Sequence, residues 1–295
     1  VIGVLQLLNA LSPEGGEAVA FSGADVALIE SLASQAAVAI NNVRLIADTE
    51  ALFESFVQVM ATAIDERSPY TGGHIRRVAE LTMVMAYAIN ASSTGYFADV
   101  AFSEEELEEL RMAAWMHDIG KITTPEWIVD KPTKLTTIFD RVELLRLRFA
   151  LARKELELQV ARGVLNVDGG QRLMQEIDED FDFIACANMP GEFMDDEDLM
   201  RLKKIAAKTF VQNGERQSYI TDEELENLSI RKGSLTGVER QKINDHAAMS
   251  IKMLEQIPFT RKLKQVPTIA GAHHEKLDGT GYPQGLRGDQ ISLQA

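Results

Sequence analysis

Apolar residues recur at alternating three- and four-residue steps along the first quarter of the chain: Ile29, Leu32, Ala36, Ala39, Val43, Ile46, Phe53, Val57, Met60 and Ile64, with Glu50 the one interruption. That spacing predicts a long helix with one apolar seam. A seam of this heptad type fits a parallel two-stranded dimer, and equally a core helix packed within its own chain. Ser22 and Asp25 form an S-x-x-D capping pattern at its start. Ahead of it, the apolar run Val1 to Asn9 predicts a buried strand, followed by a turn over Ser12 to Gly16.

Further helices follow from the same reasoning. Ser68, Pro69, Gly72 and Gly73 break the first helix, and His74 opens a second with Ile75, Val78, Leu81, Met85 and Ile89 on one face. Ser103 and Glu106 cap a third helix that runs to His117, with Gly120 as its stop. Thr236 and Glu239 cap a helix carrying His246, and Pro267 suits the first turn of a helix delivering His273 and His274. No strand is expected after Asn9, so the predicted fold class is mainly α.

Composition narrows the class. Hydrophobic residues make up 45% and charged residues 25%, as in ordinary globular proteins. The single cysteine, Cys186, excludes an internal disulfide framework and fits a reducing, cytoplasmic setting. No signal peptide and no membrane-spanning run are expected. A formal charge of −15 argues against binding a nucleic-acid polymer, which needs a basic footprint. The chain starts at Val1 inside an apolar run and stops abruptly at Ala295, and so reads as a piece of a longer protein.

The candidate chemistry is concentrated in few residues. The chain has five histidines. His273 and His274 open the string His273-His274-Glu275-Lys276-Leu277-Asp278-Gly279-Thr280-Gly281-Tyr282-Pro283, and His117 opens His117-Asp118-Ile119-Gly120-Lys121. His74 lies in His74-Ile75-Arg76-Arg77-Val78, and His246 stands between these groups. Histidine and carboxylate ligands suit first-row transition metals, and ligands drawn from several helices can build a dinuclear site. If His273 and His274 sit on a helix, they lie about 100° apart around its axis.

The full string, with the upstream HDIGK and GHxxRV pieces in order, resembles the HD-GYP family of metal-dependent phosphohydrolases over roughly residues 52–295. The resemblance implies an HD-type helical bundle and a cyclic di-GMP phosphodiesterase producing pGpG or GMP. It implies two divalent metal ions, Fe or Mn ahead of Zn or Ni, held by His74, His117, Asp118, His246, His273 and His274, with Asp118 bridging. It assigns Lys121 and Asp118 to catalysis. Substrate contact falls to Arg77 and to the Gly281, Tyr282 and Pro283 loop, which also serves signalling-protein partners. Lys121 also fits a helix-end lysine, and Arg77 a structural salt bridge. Asp278 fits an anchor for the Gly-Tyr-Pro turn as well as a ligand. Some family members use a third metal bound by a Glu four residues before the first histidine. Tyr70 stands there, so two metals are expected.

Three departures shape the domain reading. Residues 1–48, ending in SLASQAAVAINNVRL, resemble the C-terminal end of a GAF sensory domain with a single remnant strand, so helix 25–64 links sensor to catalytic domain and is the candidate homodimer contact. Within residues 49–295, the family's short Lys-Pro-Gly-x-Leu-Thr link appears twice in weak form, at Lys131 to Thr136 and Lys232 to Thr236. About a hundred residues separate them, where helix connections usually need roughly 2–8. Residues 137–232 therefore read as a helical insertion with helices at Ile138–Val160 and Asp196–Val211, a short helix capped by Thr221 and Glu224, and a looped acidic middle. Finally, the family completes its site with an Asp on a later helix. Asp289 comes too soon after Pro283 to match, so the site is expected to be open on one side, weak in metal affinity and restored by extension of the chain. Two other readings stand beside the enzyme: a signalling module that binds without turnover, and an HD hydrolase of another nucleotide.

Overall fold

The computed structural model describes residues 3–12, 16–68, 72–191, 193–212 and 214–295. The fold is mainly α, with ten α-helices and two two-stranded sheets among the described residues. It divides into two compact units, residues 1–60 and 61–295.

In the first unit the predicted strand does not form. Residues 3–9 are irregular, and Val4, Leu5 and Leu8 are exposed. A strand needs a neighbour for its N–H and C=O groups, and here the ladder closes only at β1 (Ala10–Leu11) and β2 (Ala18–Val19). Val1, Ile2 and the tip of the predicted turn lie outside the described residues. Helix α1 (Gly23–Asp65) starts as expected: Asp25 N–H donates to Ser22 Oγ at 3.1 Å, and Ser22 N–H donates to the Asp25 carboxylate at 2.9 Å. The seam between Leu32 and Ile46 is exposed, Val43 at 67%. By length and composition α1 is long enough and apolar enough to cross a membrane, which corrects the expectation that no run is. The same apolar seam arises in a dimeric coiled coil.

In the second unit, α2 (His74–Asn90), α3 (Glu104–Met116), the short α4 (Glu126–Val129), α9 (Gly237–Leu254) and α10 (Val266–Gly271) form the bundle. Helix α3 packs against α2 and α10, and α10 against α9. Leu107, Leu110, Met116, Leu254, Val266 and Ile269 are buried within it. Both capping boxes expected here form, at Ser103–Glu106 and Thr236–Glu239. Gly120 is not a helix stop, because a 3-10 helix over Ile119–Thr123 carries the chain past it. Helix α10 also ends at Gly271, so His273 and His274 occupy the turn after it and not a helix face.

The segment read from the sequence as an insertion, residues 137–232, has its own core. Helices α5 (Val142–Ala161), α6 (Val167–Asn188), α7 (Asp196–Ala206) and α8 (Asp222–Leu228) surround Leu145, Phe149, Ile184, Leu202, Ile205 and Leu228. Its acidic middle is not a loop: Glu176 to Asp182 lie inside α6, where Ile177, Phe181 and Ile184 turn inward at helical spacing while most of the acids face water. Two strands, β3 (Thr209–Gln212) and β4 (Glu215–Ser218), form an antiparallel hairpin, correcting the expectation of none. The predicted helix to Val211 stops at Ala206 because the β-branched Thr209 and Val211 pair with β4 instead.

The two ends of the insertion meet. Ser234 Oγ donates to the Lys131 carbonyl at 2.8 Å. Lys131 Nζ, with no exposed side-chain surface, donates to both Glu239 oxygens at 2.8 Å and to Asn227 Oδ1 at 3.0 Å. Asn227 belongs to the insertion and Glu239 to the first turn of α9. Removing one partner of such a pair leaves a buried charge without compensation. Lys131→Met should therefore lower stability in urea unfolding by about 3–5 kcal/mol. An unchanged midpoint would show that the pair holds nothing in place.

Candidate metal centre

The histidines arrive from four places in the second unit. His74 is the first residue of α2, after Gly73 in the left-handed region (φ 75°) that favours glycine. His117 caps the end of α3 and Asp118 follows it. His246 lies in the middle of α9, and His273 and His274 follow α10. Two groups result: His74, His117 and Asp118 in one, His246, His273 and His274 in the other. Within each, one ligand atom per residue lies within 4.8 Å of the others.

Asp118 belongs to both neighbourhoods. Its Oδ2 is 3.1 Å from His117 Nε2 and 3.8 Å from His74 Nε2. Its Oδ1 is 3.3 Å from His246 Nε2 and 3.7 Å from His273 Nε2. The carboxylate is 1% exposed, yet Oδ1 has no hydrogen-bond partner. The imidazole tautomers explain why. The Nδ1 atoms of His117, His246 and His273 sit against the carbonyls of Ala114, Ile243 and Ala270, three residues back in each case, at 2.7 Å for His117 and 2.6 Å for His273. An Nδ1–H donating to a carbonyl leaves Nε2 as a bare lone pair facing inward. Lone pairs then meet lone pairs: His246 Nε2 is 3.3 Å from His273 Nε2. A cation between them removes that repulsion, so the donor set fits a metal.

The electrostatics agree. Burial lowers His273 to about 3, helped by the neighbouring His117 and His274, and lowers His274 to about 4, helped by His246. Both are neutral at neutral pH, the form that ligates. Burial opposes ionisation of Asp118, but the His117 and His246 rings beside it, with the Lys121 ammonium, override that and hold the carboxyl far below its usual range. Burial likewise opposes protonation of His117, and the Asp118 carboxylate beside it raises its pKa.

The remaining predicted residues divide. Lys121 Nζ lies 2.7 Å from Asp118 Oδ2 and lines a cavity of about 290 Å³ with His74, His117, Asp118, His273 and His274. Leu110, Ala113 and Ile269 form its apolar wall. Arg77 is not brought there: it is exposed, and its Nη1 donates to the Gly72 carbonyl at 3.1 Å. The Tyr282 ring stacks on His274, with centroids 4.6 Å apart. Gly281 has no room for a Cβ, which would meet Glu275 Cα at 2.5 Å, and Pro283 follows a cis peptide bond. Tyr70 lies outside the described residues. Glu275 and Asp278 are occupied within the loop. Glu275 accepts from the N–H groups of Gln284, Gly285 and Leu286, and Asp278 accepts from Thr280 N–H at 2.9 Å. Asp289 sits in a 3-10 helix (Gly288–Gln290) and joins neither histidine group.

One residue the motifs did not reveal is Ser250. It is fully buried, accepts from Gly120 N–H at 2.9 Å and donates to the His117 carbonyl at 2.8 Å. It lies one turn after His246 on α9, so it ties the two histidine groups together. The sequence signal was a serine on the buried face with His246, Ala247 and Leu254. Gly120 completes the contact: a Cβ there would strike the His246 carbonyl oxygen and meet Ser250 N at 2.6 Å.

Two family models described as HD domain match the chain, one over residues 71–179 and one over residues 218–295. Residues 180–217 fall in neither. Over 245 residues the chain is 25% identical to the 3'3'-cGAMP-specific phosphodiesterase 3 of Vibrio cholerae, a match that takes in 83% of this chain and 28% of the relative. It is 37% identical over 75 residues to a probable cyclic di-GMP phosphodiesterase of the same organism, covering 24% of this chain and 17% of that one. A third relative, the 3'3'-cGAMP-specific phosphodiesterase 2, is 30% identical over 94 residues, covering 32% and 16%. The chain thus spans little more than a quarter of the first relative's length and about a sixth of the others'. These matches support an HD-family phosphohydrolase. HD domains are metal-dependent, and the two histidine groups could each hold an ion.

Overpacking a close contact costs typically about 1–3 kcal/mol. Gly120→Ala should cost that much in unfolding experiments and also lower the metal content by elemental analysis, because it pushes the His117–Asp118 segment away from α9. Full metal content in a destabilised variant would detach the contact from ligand placement.

Proposed function

We propose that this chain carries the catalytic centre of a metal-dependent phosphodiesterase of cyclic dinucleotides. The observation that carries the reading is Asp118: one buried carboxylate, with an unpartnered oxygen, set between two groups of histidine lone pairs. His74, His117 and Asp118 would hold one divalent ion, and His246, His273 and His274 a second, with Asp118 shared. Fe or Mn is the favoured pair, with Zn and Ni as alternatives. When bound, such a pair neutralises the phosphodiester and makes water a stronger nucleophile.

The chain's own groups supply the rest. Among the described residues lining the cavity, the Lys121 ammonium is the one lysine or arginine charge, placed to meet the charge that builds on the phosphoryl oxygens. The apolar wall restricts water on one side. About 290 Å³ holds the scissile phosphate and an adjoining sugar, so the bases would extend beyond this cavity. Tyr282 stacks on His274 and keeps that ring in place, while the loop through Gly281 and Pro283 offers a surface for substrate or for a signalling partner. Arg77 would contribute only after leaving the Gly72 carbonyl.

Cyclic di-GMP, giving pGpG or GMP, is the substrate the motif resemblance implies. Two of the similar proteins are 3'3'-cGAMP-specific phosphodiesterases, which adds 3'3'-cGAMP as a candidate. A panel of both, assayed with metal content on the same preparation, tests the reading. Expected are two transition-metal ions per chain and turnover of a cyclic dinucleotide. No bound metal, with no rescue by added Mn or Fe, sinks it, and binding without turnover selects the non-catalytic module instead. Lys121→Ala should keep the metal and lose on the order of 10²–10³ in rate. Unchanged turnover would return Lys121 to a structural role.

Residues 1–48 we read as the end of a GAF-like sensor, with α1 pairing two copies through its apolar seam in a cytoplasmic protein. The exposed Leu32, Val43 and Ile46 support the pairing. Charged residues at Val43 and Ile46 should give monomers in sedimentation, and a wild-type chain already monomeric at high concentration would refute the dimer.

A further inference from the structure

The insertion contains a cavity of about 570 Å³, twice the volume of the one at the histidines and within the range of small-molecule sites. It lies between α5, α6 and the β3–β4 hairpin, within the part of the chain that has its own core. We propose that the insertion binds a small amphipathic amine here: a monocation with an apolar body.

Charge and shape both point to that class. Glu155, Glu176 and Asp180 line the cavity against Lys208 and Arg216, which leaves one negative charge in excess. The Lys208 ammonium is already ion-paired to both Glu176 and Asp180, so it is not offered to an anionic ligand. An added monocation brings the lining to neutrality, whereas an added anion doubles the imbalance. The apolar part has a matching surface in Leu156, Leu173 and Ile177. Phe210 and Tyr219 supply aromatic rings, with centroids 5.1 Å apart, and Tyr219 is braced from behind by Phe149 at 4.6 Å. Ring faces attract organic cations. Burial raises the Tyr219 pKa, so its hydroxyl stays neutral beside the ligand.

The proposal is independent of the phosphodiesterase reading and is tested by binding alone. The probe is 2-phenylethylammonium, compared by calorimetry on the whole chain with neutral 2-phenylethanol and anionic 3-phenylpropionate. The ammonium should bind at least about tenfold tighter than either, the scale of a 1.4 kcal/mol difference. Leu173→Trp, at a 42% exposed position on the cavity, should abolish binding without disturbing the fold. Glu155→Gln with Glu176→Gln keeps both hydrogen-bonding side chains and turns the lining net positive, so the preference should pass to the carboxylate. No ammonium binding overturns the proposal. So does a wild-type preference for the carboxylate, ammonium binding that survives Leu173→Trp, or a preference that the double substitution leaves unchanged.

Discussion

The second unit is built around a repulsion that the protein alone does not relieve. Four imidazole Nε2 atoms lie within 4 Å of the Asp118 carboxylate. Three of those rings face a backbone carbonyl through Nδ1, which directs their lone pairs at one another and at Asp118. Unpaired buried acceptors are costly, and a protein keeps them where a ligand or cation completes the arrangement. Helix ends, turns and glycines around the cavity make sense as devices for holding this cluster together.

Those devices act on separate members of the cluster. The Ser250 hydroxyl and the absence of a side chain at Gly120 bring the His117 segment onto α9, so that one carboxylate reaches both groups. On the other side, Glu275 gathers three backbone N–H groups of the loop that follows, and that loop returns Tyr282 to stack on His274. The conspicuous acids of the His-His-Glu-x-x-Asp string therefore shape the loop, while its two histidines are the residues that join a group able to hold a metal ion.

The segment read as an insertion carries much of the chain's acidity. Glu176 to Asp182 and Asp195 to Asp198 belong to it. Among the described residues lining the histidine cavity, the only acidic side chain is Asp118, opposed by Lys121. Its two ends close at Lys131 and Ser234, so about a hundred residues enter between neighbouring points without spreading the bundle. The price is a buried lysine that depends on Glu239 of the bundle and Asn227 of the insertion together.

Helix positions and most caps were legible in the sequence, because capping boxes and apolar stripes are local: Ser103–Glu106, Thr221–Glu224 and Thr236–Glu239 each need only four residues. The candidate ligands were legible too, because the histidines are few and closely grouped in motif strings. What depended on partners distant in the chain was not. The Val1–Asn9 run has strand composition but no neighbouring strand over its described residues. Thr209 to Val211 continued a helical pattern until a hairpin partner claimed it. The roles of Asp118 Oδ1, Gly120 and Ser250 arise only when residues some 130 positions apart come into contact. Sequence by itself determined which side chains could ligate and which segments coil into helices, since both follow from residue type and local spacing. Only the tertiary structure decided that one carboxylate lies between two histidine groups, that Arg77 points away and that the acidic insertion encloses a cavity of its own, since these depend on how distant segments pack.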